Sequence, residues 1–244
     1  MCRKIIVITG GSSGLGEAIV KRLLGNENNY VYSIDTKIPT FQHNRFQHVM
    51  EDIRSAEALS GLLRRLAEVT YIDSLILNAG VFVSELKGAT DYNDEEWSSI
   101  MDINFYANCN LLRALIPLLL KGQYACIIGI LSDKIYQPTP WTAPYTVSKM
   151  ALLGFLNTLA LELKGKIRVN TISPSVVNSD LVKDLLGRAG QLKKIPLEFL
   201  NVDGVANIVD FLLSTDSLYL NGVDIPVKGN NFYKLGTINE NSAN

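Results

Sequence analysis

Histidine and cysteine are scarce in this chain of 244 residues, and the scarcity narrows what it does. The three cysteines, Cys2, Cys109 and Cys126, form no CxxC pair, and the only histidines are His43 and His48. So few donors exclude a structural zinc cage and a disulfide framework, and no metal site is expected. Three unpaired thiols point to a reducing compartment, so a cytoplasmic location is expected. A surplus of one charge is lacking as well: 23 basic residues face 24 acidic ones, for a net charge of −1. Neither nucleic acid nor an acidic membrane is therefore an expected partner. Long hydrophobic runs are absent too. The most apolar stretch, Leu111 to Leu120, is broken by Arg113 and Pro117. It falls short of the ~20 residues that span a bilayer and reads as a buried helix. At the N-terminus Arg3 and Lys4 precede an apolar run of only Ile5 to Ile8. A signal peptide needs an apolar region of ~7–15 residues, so no targeting segment is expected.

What the chain does have is alternation. Short aliphatic or β-branched runs occur at Ile5–Ile8, Tyr30–Ile34, Phe46–Met50, Leu75–Leu77, Ala125–Ile130, Ile167–Ile172 and Val223–Val227. A continuous apolar run marks a strand covered on both faces. Between the runs, apolar residues recur at helical spacing: Ala18, Ile19, Leu23 and Leu24; Leu59, Leu62, Leu63 and Leu66; Val205, Ile208, Val209 and Leu212. Strand–helix–strand repetition implies right-handed crossovers. The predicted fold is α/β: a doubly wound, Rossmann-like, seven-stranded parallel sheet with helices on both faces. No linker-like break divides the chain, so one catalytic domain over 1–244 is expected. The Asn-rich stretch 230–244 reads as a frayed tail or an arm docking on a neighbouring subunit.

Thr9-Gly10-Gly11-Ser12-Ser13-Gly14-Leu15-Gly16 falls between the first predicted strand and the first predicted helix. A dinucleotide-binding sheet places its glycine-rich turn there. Gly10 suits the tight turn, Gly14 a close approach to pyrophosphate, and Gly16 close packing of helix on strand. The helix N-terminus offers free N–H groups and the positive end of its dipole to phosphates. Asp35 closes the second strand, 19 positions beyond Gly16. An acid ~20 residues past the loop hydrogen-bonds a ribose 2′-hydroxyl and repels a 2′-phosphate. Ser13 and Thr36 are not basic, which favours NAD over NADP; Lys37 is the one residue that argues the other way.

Tyr145 and Lys149 stand four residues apart at the head of a predicted helix, which places them on one face. A free tyrosine has a pKa of about 10 and is a poor base near neutrality. An ammonium one turn away favours the phenolate, so an apparent pKa below the free value is expected during alcohol oxidation.

These pieces, with others in order along the chain, resemble the short-chain dehydrogenase/reductase family in its compact branch. The others are the Asp52-Ile53 pair, LNAG at Leu77–Gly80, Asn104 in MDINF, Ser132 placed 13 positions before Tyr145, and RVNTISP at Arg168–Pro174. The likeness runs roughly from Lys4 to Lys228. It implies that Ser132 hydrogen-bonds the substrate oxygen, that Tyr145 is the general acid–base, and that Lys149 holds the nicotinamide ribose and tunes Tyr145. Asn104 would sit in a kinked long helix and anchor a water leading from Lys149 to solvent. The cofactor would lie along Gly10, Ser12, Ser13, Gly14, Leu15 and Gly16, with Asp35 at its ribose. Asp52 and Ile53 would clasp adenine, and Asn78, Ala79 and Gly80 would pass beside the adenosine ribose. Pro174, Val177 and Ser179 would border the nicotinamide. The likeness also implies a homodimer or homotetramer built on helices near Asn93–Leu120 and Tyr145–Leu163.

Three positions depart from the family pattern: Ser175 in place of a glycine, Ser179 in place of a threonine, and Val227-Lys228-Gly229-Asn230 near the C-terminus. None removes a catalytic group. The reading that follows is an NAD(H)-dependent alcohol dehydrogenase or carbonyl reductase acting on a small alcohol or ketone. The alternatives are a 3-oxoacyl-carrier reductase and a non-catalytic dinucleotide-sensing protein. Leu131, Ile135, Tyr136, Trp141, Phe82 and the stretch Leu181–Leu192 are the expected pocket lining. Asp133 and Lys134 read either as groups that orient a polar part of the substrate or as solvated charges.

Overall fold

The computed structural model describes residues 3–177 and 199–228. Seven strands form one parallel sheet: β1 (Lys4–Thr9), β2 (Asn29–Asp35), β3 (Phe46–Met50), β4 (Ser74–Leu77), β5 (Cys126–Ile130), β6 (Arg168–Pro174) and β7 (Asp224–Val227). Their order across the sheet is β3-β2-β1-β4-β5-β6-β7. The chain winds outward from β1 in one direction, then crosses back to β4 and winds the other way. The carboxyl ends of β1 and β4 therefore border the crevice where such sheets bind ligands.

Alternation along each strand builds two cores. Ile5 and Val7 of β1, with Leu75 and Leu77 of β4 and Ile127 of β5, face α2 (Ala56–Arg65), α4 (Ala107–Leu119) and α5 (Ala143–Glu162). Ile6, Ile8, Ile76, Ile128 and Ile130 point the other way, to α1 (Gly14–Leu24) and α6 (Val202–Leu213). That two-sided burial is why the strands read as unbroken apolar runs. The helical stripes hold with one correction. In α2 the buried line runs through Ala58, Leu62 and Leu66, while Leu63 is 40% exposed, because it lies about 100° around the helix from Leu62. The stretch Leu111–Leu120 is the buried helix expected for most of its length: Leu111, Leu112, Leu115 and Leu119 are buried, and Leu120 emerges at its end.

The long helix expected near Asn93–Leu120 is three pieces. Helix α3 (Asp94–Met101) opens with a capping box. The Asn93 side chain accepts from the Glu96 N–H at 2.9 Å, and Glu96 accepts from the Asn93 N–H at 3.0 Å. A π-helical turn, Asp102–Tyr106, then carries Asn104, and the Ala107 N–H bonds the Asp102 carbonyl five residues back. Helix α4 follows directly. No described helix is long and apolar enough to cross a membrane.

Candidate active site

The turn after β1 is tied to the end of β4 by four hydrogen bonds. Thr9 Oγ1 accepts from the N–H of Asn78 (3.0 Å) and of Ala79 (2.9 Å). Asn78 Nδ2 donates to the carbonyls of Thr9 (3.0 Å) and Gly10 (2.9 Å). Gly10 has φ +70°, and a Cβ on it would lie 3.0 Å from Ala79 Cα. A Cβ on Gly16 would collide with the Gly10 carbonyl oxygen, so helix α1 starts against the turn only because that residue has no side chain. Ser13, at the N-cap of α1, makes no side-chain capping bond. The first-turn N–H groups of α1 thus lack that protein acceptor, as suits an anion-binding end.

Beneath this turn the Ser12 N–H donates to Asp35 Oδ2 at 2.9 Å, and the Lys37 N–H donates to Asp35 Oδ1 at 3.0 Å. Lys37 therefore meets Asp35 through its backbone. Gly11 N–H donates to Ser33 Oγ at 3.2 Å, and Ser12 Oγ lies 3.4 Å from His48 Nδ1. Asp52 pairs with Arg54 at 2.7 Å, and Ile53 packs on the core around α2. The Arg54 hydrogen bonds hold the Asp52 carboxyl below the usual carboxylate range.

The second group of expected residues meets at the carboxyl edge of β4 and β5. Ser132 directly precedes a short 3₁₀ turn, Asp133–Ile135, after β5. Tyr145 and Lys149 stand in the first two turns of α5. Lys149 Nζ is buried, donates to the Ile130 carbonyl at 3.0 Å and sits 5.9 Å from the Tyr145 ring centroid. Phe82 also packs on that ring, with centroids 4.6 Å apart and the planes tilted by 55°. Gly80 lies in close quarters here: a Cβ would come within 3.1 Å of Lys149 Nζ and 3.2 Å of Asn104 Oδ1, so both side chains would have to give way slightly.

Asn104 is engaged on every polar atom of its side chain. Its Oδ1 accepts from the Val81 N–H at 2.8 Å, and its Nδ2 donates to the Val81 carbonyl at 3.0 Å and to Ser148 Oγ at 2.9 Å. Its carbonyl accepts from Asn108 Nδ2 at 2.9 Å. The side chain thus joins the loop after β4 to α5. Ser148 Oγ in turn donates to the Tyr145 carbonyl at 2.7 Å. The sequence names Thr9 only as the start of the glycine motif, without its tie to Asn78, and gives no role to Asn108 or Ser148, although Asn108 follows Asn104 by one helical turn.

Other expectations are redistributed. Leu131 and Ile135 are 3% and 8% exposed and belong to the core beside α5, so they are corrected from pocket lining to packing: β5 and the turn after it run into that core. Tyr136 and Trp141 are half-exposed at the cleft edge. Tyr136 Oη donates to Asp224 Oδ2 at 2.7 Å. Trp141 has φ +66° and accepts a 2.7 Å bond from Tyr92 Oη on its carbonyl. Pro174 ends β6 opposite Val227, Ser175 N–H donates to the Val227 carbonyl at 2.8 Å, and Val177 bridges to Leu200. Ser179, the stretch Leu181–Leu192, Gly229, Asn230 and the rest of the C-terminal stretch lie outside the described residues.

The expected lowering of Tyr145 concerns oxidation with nicotinamide bound; in the chain by itself the surroundings favour the neutral forms. Burial pushes Tyr145 up to about 12, opposed by the Ser132 hydrogen bond and reinforced by the Asp133 charge. Burial also pushes Lys149 down to about 8. The lysine does not depress the tyrosine in the chain by itself, because desolvation penalises both charged forms and Nζ points to the Ile130 carbonyl.

A family model described as short chain dehydrogenase matches residues 4–188. The human dehydrogenase/reductase SDR family member 2, mitochondrial, is 31% identical over 94% of this chain and 86% of its own length. The 3-oxoacyl-[acyl-carrier-protein] reductase FabG of Rickettsia felis is 31% identical over 93% of this chain and 95% of its own. Among solved structures, the 3-ketoacyl-(acyl-carrier-protein) reductase of Brucella melitensis complexed with NADH superposes with a TM-score of 0.83 at 26% identity, covering 93% of this chain and 97% of that one. The chain belongs to the short-chain dehydrogenase/reductase family of oxidoreductases.

One spectroscopic expectation follows from the burial. Alkaline titration of the free protein, read as the ultraviolet difference between wild type and Tyr145→Phe, places the Tyr145 step above the ordinary value of about 10. Ionisation is then absent below that pH and gained as pH rises toward about 12. A Tyr145 step below the ordinary value means the desolvation argument is wrong.

Proposed function

We propose that the chain is an NAD(H)-dependent oxidoreductase that interconverts a small alcohol and its carbonyl, with Tyr145 as general acid–base. The observation that carries the reading is the meeting of Ser132, Tyr145 and Lys149 at the sheet edge beside the glycine turn. The residues fit the cofactor: Gly16 lets α1 start directly against the glycine turn, Ser13 leaves the first turn of α1 without a side-chain cap, and Asp35 stands under Ser12. Bound nicotinamide supplies the hydride acceptor or donor at its C4. The residues that would hold it are Gly10, Ser12, Ser13, Gly14, Leu15 and Gly16 at the phosphates, Asp35 with Asn78–Gly80 at the adenosine, and Lys149 with Pro174, Val177 and Ser179 toward the nicotinamide.

In this reading Ser132 Oγ donates to the substrate oxygen and fixes it beside Tyr145 Oη. During oxidation Tyr145 takes the hydroxyl proton, and during reduction it returns one. A tyrosine held protonated by its surroundings suits the second role without help. For oxidation its pKa must fall, and the charge on oxidised nicotinamide together with a charged Lys149 pulls it in that direction. Asn104 acts as a positioning residue, locking the loop that presses Gly80 against Lys149. The second reading, 3-oxoacyl-carrier reduction, is favoured by the relatedness to FabG. The near-neutral net charge of −1 lends that reading no support from overall attraction to an acidic carrier. A cytoplasmic site and a single catalytic domain complete the proposal, the first supported by the free thiols of Cys109 and Cys126.

Three outcomes test it. Tyr145→Phe keeps the ring against Phe82 and lowers turnover by roughly 10²–10⁴-fold on a panel of alcohols and ketones, while NADH titration is little changed; near-normal turnover removes the catalytic assignment. Wild type binds NAD(H) more tightly than NADP(H), and Asp35→Ala narrows the gap, since the ribose acceptor and the repelling charge are lost together; tighter NADP(H) binding by wild type refutes the cofactor assignment. Tyr106 in the turn between α3 and α4, and Val147 and Met150 on α5, expose apolar surface, which supports a homodimer or homotetramer. Light scattering at micromolar concentration should give a multiple of 26.9 kDa, and a monomer mass counts against it.

A further inference from the structure

The reaction proposed above uses Ser132, Tyr145 and Lys149 but gives no task to the carboxylate between them. Asp133 opens the 3₁₀ turn directly after Ser132 and is 6% exposed, so it is not the solvated charge that its sequence position allows. Its Oδ1 lies 3.5 Å from Ser132 Oγ and 3.5 Å from Lys134 Nζ, both at the outer limit of a useful contact. Among the described residues no backbone N–H donates to it, which separates it from the capping acids elsewhere in the fold. An ionised carboxylate has room for about four hydrogen bonds, and the two contacts to Ser132 and Lys134, both to Oδ1, fill only part of that capacity. Its charge also strengthens the hold of Tyr145 on its proton. Ser132, one of the two groups that meet the reacting oxygen, therefore has Asp133 as a direct neighbour.

We propose that Asp133 is a specificity-determining residue that accepts a hydrogen bond from a hydroxyl group on the carbon next to the reacting carbinol or carbonyl, so that vicinal diols and α-hydroxy ketones are the substrates. The inference rests on the oxidoreductase reading and names the substrate class of the same site. A plain alkyl substrate would cover the carboxylate and supply no donor, adding to a desolvation already in place. A donor one carbon from the reacting oxygen would reach a group adjacent to Ser132. Lys134 already faces the carboxylate, so a neutral hydroxyl fits better than a second cation. In oxidation the carbinol hydrogen leaves as hydride to the nicotinamide and the hydroxyl proton goes to Tyr145. The neighbouring hydroxyl is retained, and the product is the α-hydroxy ketone.

The test compares matched pairs on the purified full chain: acetoin with butanone under NADH, and vicinal butanediol with secondary butanol under NAD. The measured quantity is the ratio of kcat/KM within each pair, for wild type, Asp133→Asn and Asp133→Ala. Because both members are assayed on one preparation, the ratio does not depend on how much of a variant folds. Wild type is expected to favour the hydroxylated member by on the order of 10- to 100-fold, the range for a hydrogen bond to a charged group. Asp133→Ala brings the ratio toward one, and Asp133→Asn retains part of it, since an amide oxygen still accepts. A wild-type ratio near one, a ratio that survives in Asp133→Ala, or turnover of neither member overturns the inference. The hydride-transfer reading is judged separately, by the broader panel with Tyr145→Phe.

Discussion

Everything at the candidate site hangs on the closeness of two strand ends. Thr9 at the end of β1 and Asn78 after β4 exchange hydrogen bonds through both backbone and side chain. The same contact sets where the glycine turn begins and where the loop bearing Gly80 departs. With those two chain segments fixed, helix α1 starts at Gly14 against the turn, and Gly80 arrives beside Lys149. Loss of either partner would leave buried N–H or C=O groups without acceptors or donors, at a cost of about 1–3 kcal/mol each. The clamp is thus both a fold contact and the ruler that spaces the cofactor turn from the reacting groups.

The second constraint is electrostatic. Lys149 and Tyr145 pay a desolvation penalty in opposite directions, one pushed down to about 8 and the other up to about 12. In the chain alone the two groups therefore sit nearer their neutral forms than they would in water. Such a pair is held ready by its surroundings and waits for a charge to tip it. Asp133 adds to the same bias, and Ser132 works against it.

The inner strands were legible because they are covered on both faces, so the sequence shows uninterrupted runs there; the observed bounds of all seven differ from the runs by about a residue or two at either end. The order of motifs was legible too, and it led to the family. Scaffold residues were not. Thr9, Asn108 and Ser148 are single polar groups inside apolar or helical patterns, and their importance lies in partners distant in sequence, such as Thr9 with Asn78. Leu131 and Ile135 misled for a related reason: nearness to Ser132 along the chain says nothing about which side of the sheet a side chain enters. The upward shift of Tyr145 in the chain by itself was hidden because a four-residue spacing fixes a helix face but not the dielectric around it.

The π turn at Asp102–Tyr106 has a consequence for how the two helices flanking it relate. A π turn holds one residue more than an α turn, so the angular phase of α4 is set independently of α3. Removing a single residue within that turn would give an unbroken α-helix of better regularity. It would also rotate Asn104 away from Val81 and Ser148, by roughly the 100° that one helical residue subtends. The irregularity acts as a phase shifter: α3 and α4 each keep their own buried face, and the polar bracket that steadies the loop before Lys149 exists only because the helix is imperfect there.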